Sequence, residues 1–153
     1  MKTIVVTTDL SDESKVAFEP SRSLAKVFNA QIILLAVIED PAQAAMVYAL
    51  DLEVLPDPVV QKQILQRVRA DLQDLSQRYF QDILCDVCAI EASSPTHREI
   101  INFAKSRSAD LIVMATHGRT GLVHMLIGNI TEKVVRESHC PVLTIPINRP
   151  STR

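Results

Sequence analysis

At 153 residues the chain is long enough for one ordinary domain and leaves little for a second. Sixteen Lys and Arg against eighteen Asp and Glu give a formal charge of -2, so no basic footprint for nucleic acid is visible. A hydrophobic share of 47% with 22% charged residues excludes a disordered chain.

The longest apolar runs, such as Ile32 to Ile38, fall far short of the roughly 20 residues needed to cross a bilayer, so no membrane partner is expected. The chain starts directly on a strand-like MKTIVV with no signal-peptide pattern, and three cysteines do not suggest a secreted disulfide framework. A cytoplasmic location is the expectation.

In chain order, Thr3 to Thr7 is a short apolar run without polar alternation, as are Gln31 to Val37, Asp110 to Ala115 and Pro141 to Ile145. Such runs suit strands buried on both faces of a parallel sheet. Ser11 to Asn29 reads as the first helix, opened by acidic Asp12 and Glu13, with Pro20 expected to kink or loosen it. The stretch Glu39 to Asp57 carries Pro41 and Pro56 and reads as a flap or a partly helical excursion. Val60, Ile64, Val68, Leu72, Leu75 and Tyr79 then lay one stripe along a long helix. Ile83 to Ile90 is more mixed and suits an edge strand.

Ser94 followed by Pro95 predicts a cap and first helical residue for a third helix. Asn129 with Glu132 resembles a capping box for a fourth, expected to bury Ile130, Val134 and Val135. Strand and helix therefore alternate through five strands, which predicts a three-layer α/β/α fold with right-handed crossovers. With the flavodoxin-like, Rossmann-like order 3-2-1-4-5, strands one and four flank the crevice at the switch point. Asp9 would end strand one there, opposite Thr116, His117 and Gly118. Residues 1–147 are expected to form the one domain, and 148–153 a loose tail.

Glycine is the most informative residue. A chain of this length would ordinarily carry about 11; this one has three, and Gly118, Gly121 and Gly128 all lie close together. That segment needs either positive φ or a close approach to bare backbone. Backbone N–H groups there, with the following helix N-terminus, could receive an anion. Tight turns alone are the competing explanation. Neither GxxxxGK[ST] nor GxGxxG is present.

The run MATHGRTGLVHMLIGNITEKVVRESHCPVLTIP resembles the C-terminal signature of universal stress proteins, and KTIVVTTDLSDES resembles their first strand and loop. The similarity covers nearly the whole chain. The family motif G-x2-G-x9-G-[ST] falls on Ala115, Gly118, Gly128 and Asn129, with both intervals intact and two of four positions changed.

The resemblance implies a ligand: ATP or another adenine nucleotide, with Mg2+ as an optional companion. By matching positions, Thr8, Asp9 and backbone near Val37 would face the adenosine. Met114, Ala115, Gly118, Gly128, Asn129 and Ile130 would line the ribose and phosphates, and Arg119 could reach a terminal phosphate. Ala115 adds a methyl where the family has bare backbone, at a cost of roughly 1–3 kcal/mol if nothing yields. Asn129 loses a hydroxyl and keeps an amide donor. The resemblance also implies a homodimer through the last strand, Pro141 to Ile147.

Several residues have plainer readings. Asp9 suits a turn or cap shared with Ser11, and Arg119 a solvated loop side chain. His117 stands where it could meet a ligand or loop carbonyls; His97, His124 and His139 show no metal-ligand spacing. Cys85 and Cys88 form a CxxC whose opposite parity sends them to opposite sheet faces. A phosphoacceptor receiver domain would need an aspartate ending strand three and a lysine ending strand five, where this chain has Ile90-Glu91 and Ile145-Pro146.

No carboxylate beside the loop stands out as a general base, so a nucleotide binder is expected rather than an enzyme, with weak ATP hydrolysis a lesser alternative. The other expectation is a dimeric stress or interaction protein whose degenerate loop binds no nucleotide.

Overall fold

The computed structural model describes residues 1–39, 58–118 and 127–147. Five strands, β1 (Thr3–Thr7), β2 (Gln31–Ile38), β3 (Cys85–Glu91), β4 (Leu111–Ala115) and β5 (Val142–Ile145), form one parallel sheet. Their order is β3-β2-β1-β4-β5, so the mixed strand β3 is an edge, as its sequence suggested. Among the described residues, four α-helices lie in the connections: α1 (Phe18–Phe28), α2 (Pro58–Tyr79), α3 (Thr96–Ser106) and α4 (Asn129–Glu137).

Strand alternation divides the core in two. Ile4 and Val6 of β1 point to one face, with Leu34, Val113, Phe18 and Ala25 of α1, and Ile64, Val68 and Leu72 of α2. Val5 points to the other, with Leu35, Ile112 and Met114, under Ile100 and Ala104 of α3 and Val134 of α4. Helices thus cover both faces, and this is why β1, β2 and β4 carry continuous apolar runs. On the first face the Phe18 ring packs 5.2 Å from Tyr79 and 5.5 Å from Phe80, centroid to centroid.

The first helix differs from expectation. A 3₁₀ turn at Ser14–Ala17 precedes α1, and Pro20 falls in the first turn of α1. An N–H there has no intrahelical partner anyway, so proline interrupts nothing and no kink is needed. Asn29 closes α1 in the left-handed conformation, φ 49° and ψ 46°. The α2 stripe is buried at Ile64, Val68, Leu72 and Leu75, but Tyr79 stays partly exposed.

Two helix starts shift by one residue. Pro95, not Ser94, is the N-cap of α3; its carbonyl accepts from Arg98 N–H, while the Ser94 and Ser93 hydroxyls donate to Glu99 Oε1. These donors hold the Glu99 carboxyl below its ordinary pKa. Gly128, not Asn129, is the N-cap of α4, and no side chain caps it. Glu132 pairs forward with Arg136 instead of reaching back, so the expected capping box does not form. In α4, Val134 is buried as expected, but Ile130 and Val135 are 37% and 49% exposed and Thr131 is buried instead. The expected excursion at Glu39 to Asp57 lies outside the described residues, except Glu39, as does the expected tail.

Candidate functional site

The carboxyl ends of β1 and β4 lie side by side, and the two segments that leave them meet. After β1, Thr8 N–H donates to Leu35 O at 2.9 Å, extending the pairing with β2. Thr8 Oγ1 lies 2.7 Å from Ser14 Oγ and accepts from Leu10 N–H at 3.0 Å. Asp9 Oδ1 accepts from Ser11 N–H at 3.0 Å and from the Ser11 hydroxyl. Ser11 in turn accepts from Ser14 N–H through its hydroxyl and from the Ser14 hydroxyl through its carbonyl. The Asx-type turn therefore does hold Asp9, with Ser11 sharing the work.

The turn carries strain. Leu10 sits at φ 65°, a left-handed conformation that costs a residue with a Cβ about 1–3 kcal/mol. It is held by the Thr8 and Asp9 hydrogen bonds on either side of it. The result is a hydrogen-bonded turn whose carboxylate has one oxygen tied to Ser11 and the other beside Gly118, after β4.

That second oxygen meets Gly118. A Cβ on Gly118 would meet Asp9 Oδ2 nearer than real Cβ atoms come, so any side chain there must push the carboxylate aside. Gly128 is similarly confined: a Cβ there would lie 3.0 Å from Thr116 O and 3.8 Å from His117 Cδ2. Neither glycine has positive φ. Of the two reasons for clustering glycine, close approach is the one that holds at these positions. The Gly128 N–H donates to Thr116 O at 2.7 Å and so brings the start of α4 back to the end of β4.

Thr131 completes this base. Its buried hydroxyl donates to Ala115 O at 3.1 Å, which anchors the first turn of α4 to the last residue of β4. That bond explains why Thr131, rather than Ile130, faces inward. Glu132 N–H to Gly128 O is the first helical bond, at 2.9 Å. The N–H groups of Asn129, Ile130 and Thr131 precede it and have no intrahelical acceptor. They mark the positive end of the helix.

Of the sequence-derived residues, Thr8, Asp9, Gly118 and Gly128 converge at this end of the sheet. Met114 is buried in the second core cluster, and Ala115 is 7% exposed at the end of β4. Asn129 and Ile130 are exposed in the first turn of α4. Val37, half-buried near the end of β2, packs with that same second cluster. Arg119 and Gly121 lie outside the described residues. Residues that the spacing left unmarked are Leu10 and Thr131. Leu10 has no sequence signal for positive φ, and Thr131 reads as an ordinary helix-surface residue.

The CxxC reads as two separate thiols. Cys85 packs against the first core cluster and Cys88 against the second, on opposite faces, and both are free. Burial pushes the Cys85 thiol above its ordinary pKa, which disfavours the reactive thiolate. Among the described residues no group of three or more His, Cys, Asp or Glu is placed to hold a metal ion. Among them, too, no helix is long and apolar enough to cross a membrane.

Residues 1–146 match the profile of the universal stress protein family. A universal stress protein of Methanocaldococcus jannaschii is 30% identical over 146 residues, covering 94% of this chain and 81% of that protein. Among solved structures, a universal stress protein from Lactobacillus plantarum superposes with a TM-score of 0.72 at 22% identity, covering 94% of this chain and 97% of that one. A family member from Arabidopsis thaliana with AMP bound gives 0.63 at 18% identity, covering 99% and 97%.

Two further solved universal stress proteins are complexes. One, with cAMP, gives a TM-score of 0.61 at 21% identity, covering 96% and 98%. The other, from Archaeoglobus fulgidus with dAMP, gives 0.59 at 13% identity, covering 94% and 97%. The profile runs through all five strands, and this chain belongs to the universal stress protein family.

Proposed function

We propose that this chain binds an adenine nucleotide, ATP being the first candidate, between the β1 turn and the start of α4. The observation that carries the reading is the double close approach at Gly118 and Gly128. Two bare backbone positions flank the first N–H groups of α4, which have no intrahelical acceptor, at the switch point where α/β sheets take ligands. Anions are stabilised at such helix starts by the aligned peptide dipoles. Relatives in complex with AMP, cAMP and dAMP support an adenylate as the ligand class.

In this reading Asp9 faces the adenosine side and the first turn of α4 faces the phosphates. Magnesium, where present, would be carried largely by phosphate oxygens and water, since it keeps much of its hydration shell. Asp9 is a carboxylate beside the loop, but its Oδ1 is committed to Ser11. The protein is therefore read as a binder that responds to nucleotide, not as a hydrolase. We assign it a cytoplasmic stress-response role as a homodimer joined along β5, in keeping with its free thiols.

Thermal unfolding with ATP, AMP and no ligand tests the reading. A nucleotide at 100 times its dissociation constant should stabilise the fold by about 2.7 kcal/mol. Gly128→Val should abolish that shift and retain cooperative unfolding. No shift with either nucleotide at millimolar concentration would leave a dimeric interaction protein with an empty crevice.

A further inference from the structure

His117 lies between the end of β4 and Gly118, and its ring has one nitrogen without a role. Nδ1 is 3.1 Å from Thr116 Oγ1. Nε2 is buried and has no hydrogen-bond partner among the described residues. A buried ring nitrogen left unbonded is unfavourable, and native structures rarely keep one without a reason.

The position of the ring supplies that reason. Cδ2, the carbon bonded to Nε2, would touch a Cβ on Gly128 at 3.8 Å. The Cδ2 side of the ring therefore lies beside the residue that caps α4, where Gly128 presents no side chain. The N–H groups of Asn129, Ile130 and Thr131 open on the same helix end. Thr116 can donate its hydroxyl proton to Nδ1, which leaves the ring proton on Nε2.

We infer that His117 Nε2–H is a hydrogen-bond donor to a phosphate oxygen of the bound nucleotide, in the tautomer set by Thr116. This rests on the adenine-nucleotide reading above and adds a side-chain phosphate contact beside the backbone N–H groups of α4. It makes His117 a discriminator between nucleotides and the phosphate-free nucleoside.

Titration calorimetry of the full chain with ATP, AMP and adenosine tests this, in the wild type, His117→Gln and His117→Phe. Glutamine places an amide N–H about where Nε2 stands, so ATP affinity should stay within about threefold. Phenylalanine should lower ATP affinity by about tenfold or more and leave adenosine affinity unchanged, because donors to charged oxygens are the stronger ones. If His117→Phe does not fold, His117→Asn, whose amide reaches only the Nδ1 position, takes its place.

The ¹⁵N resonance of Nε2 in the wild type gives an independent readout, expected to move with ATP and not with adenosine. An unchanged ATP-to-adenosine ratio in the phenylalanine variant overturns the inference, as does an unmoved Nε2 signal in ATP-saturated protein. In both cases the nucleotide reading survives. A wild type that binds none of the three ligands overturns both together.

Discussion

Asp9 Oδ2 lies so close to the position that a Cβ on Gly118 would take that the two could not both be there. The carboxylate from the end of β1 and the bare backbone after β4 fill one contact between them. Gly118→Ala must therefore displace the Asp9 carboxylate, which the Ser11 hydrogen bonds resist. The single substitution should destabilise the fold by about 1–3 kcal/mol. In an Asp9→Ala background the obstruction is gone, so adding Gly118→Ala should cost less. A double-mutant cycle in urea should show coupling of about 0.5–3 kcal/mol. Strict additivity would mean that the two groups do not compete for space.

The acid dependence of stability should centre on the exposed end of α1. Asp82 lies between Arg22, which donates from Nε at 2.8 Å and from Nη2 at 2.7 Å, and Lys26. Hydrogen bonds from Arg22 and then Lys26 hold the Asp82 carboxyl well below its ordinary pKa of 3.8. A lowered folded-state pKa stabilises the fold above the unfolded value, and this contribution fades as pH falls through the folded value. The stability gap between wild type and Asp82→Asn should thus be greatest near neutral pH and shrink in the acid range. Added salt should also shrink it, because the pair is exposed. Urea midpoints across the acid range check both trends; a gap that widens on acidification would contradict the assignment.

The sequence carried the sheet more legibly than the helix starts. Unbroken apolar runs mark β1, β2 and β4 because both faces of the sheet are covered. The parity of Cys85 and Cys88 correctly separated them, since strand alternation has no exceptions short of a bulge. Helix starts were less readable because neighbouring residues have similar capping ability. Gly128 and Asn129 can both open α4, and Glu132 can bond backward or forward. The inward face of α4 was misread for a related reason. Hydrophobicity ranks Ile130 above Thr131, but the Thr131 hydroxyl has the Ala115 carbonyl to bond, and this removes the penalty for burying it. At the site, pattern brought Asp9 to the glycines. It had no means of showing the left-handed Leu10 or the unpartnered edge of His117.

Ala115 departs from the family motif, and its place in the structure predicts what reversion does. It is 7% exposed, pairs with Ile145 and gives its carbonyl to Thr131. Its methyl is thus part of the packed end of β4. Ala115→Gly should cost about 0.5–1 kcal/mol through the added freedom of the unfolded chain, plus the lost methyl contacts. Under the nucleotide reading, ATP affinity should rise less than about tenfold, as removal of a tolerated methyl relieves at most part of an overpacking penalty. Denaturation and calorimetry on the same variant measure the two effects. A gain far above tenfold would show that Ala115 blocks the ligand in the wild type.

The homodimer expectation can be tested on the outer edge of β5. Pro141 O accepts from Ile112 N–H and Ile145 O from Thr116 N–H, so the odd-numbered positions of β5 bond inward to β4. Alternation along a parallel strand then turns the N–H and C=O of Val142 and Thr144 outward. Proline at position 144 removes one outward donor and spares the ladder to β4, which is the placement that edge strands tolerate. Thr144→Pro should therefore leave the monomer folded and weaken pairing between two β5 edges. Light scattering on the eluted protein should give twice the chain mass for the wild type and one chain mass for the variant. A variant that stays dimeric would place the contact between subunits elsewhere, and a wild type that is monomeric at working concentrations would remove β5 as a dimer seam altogether.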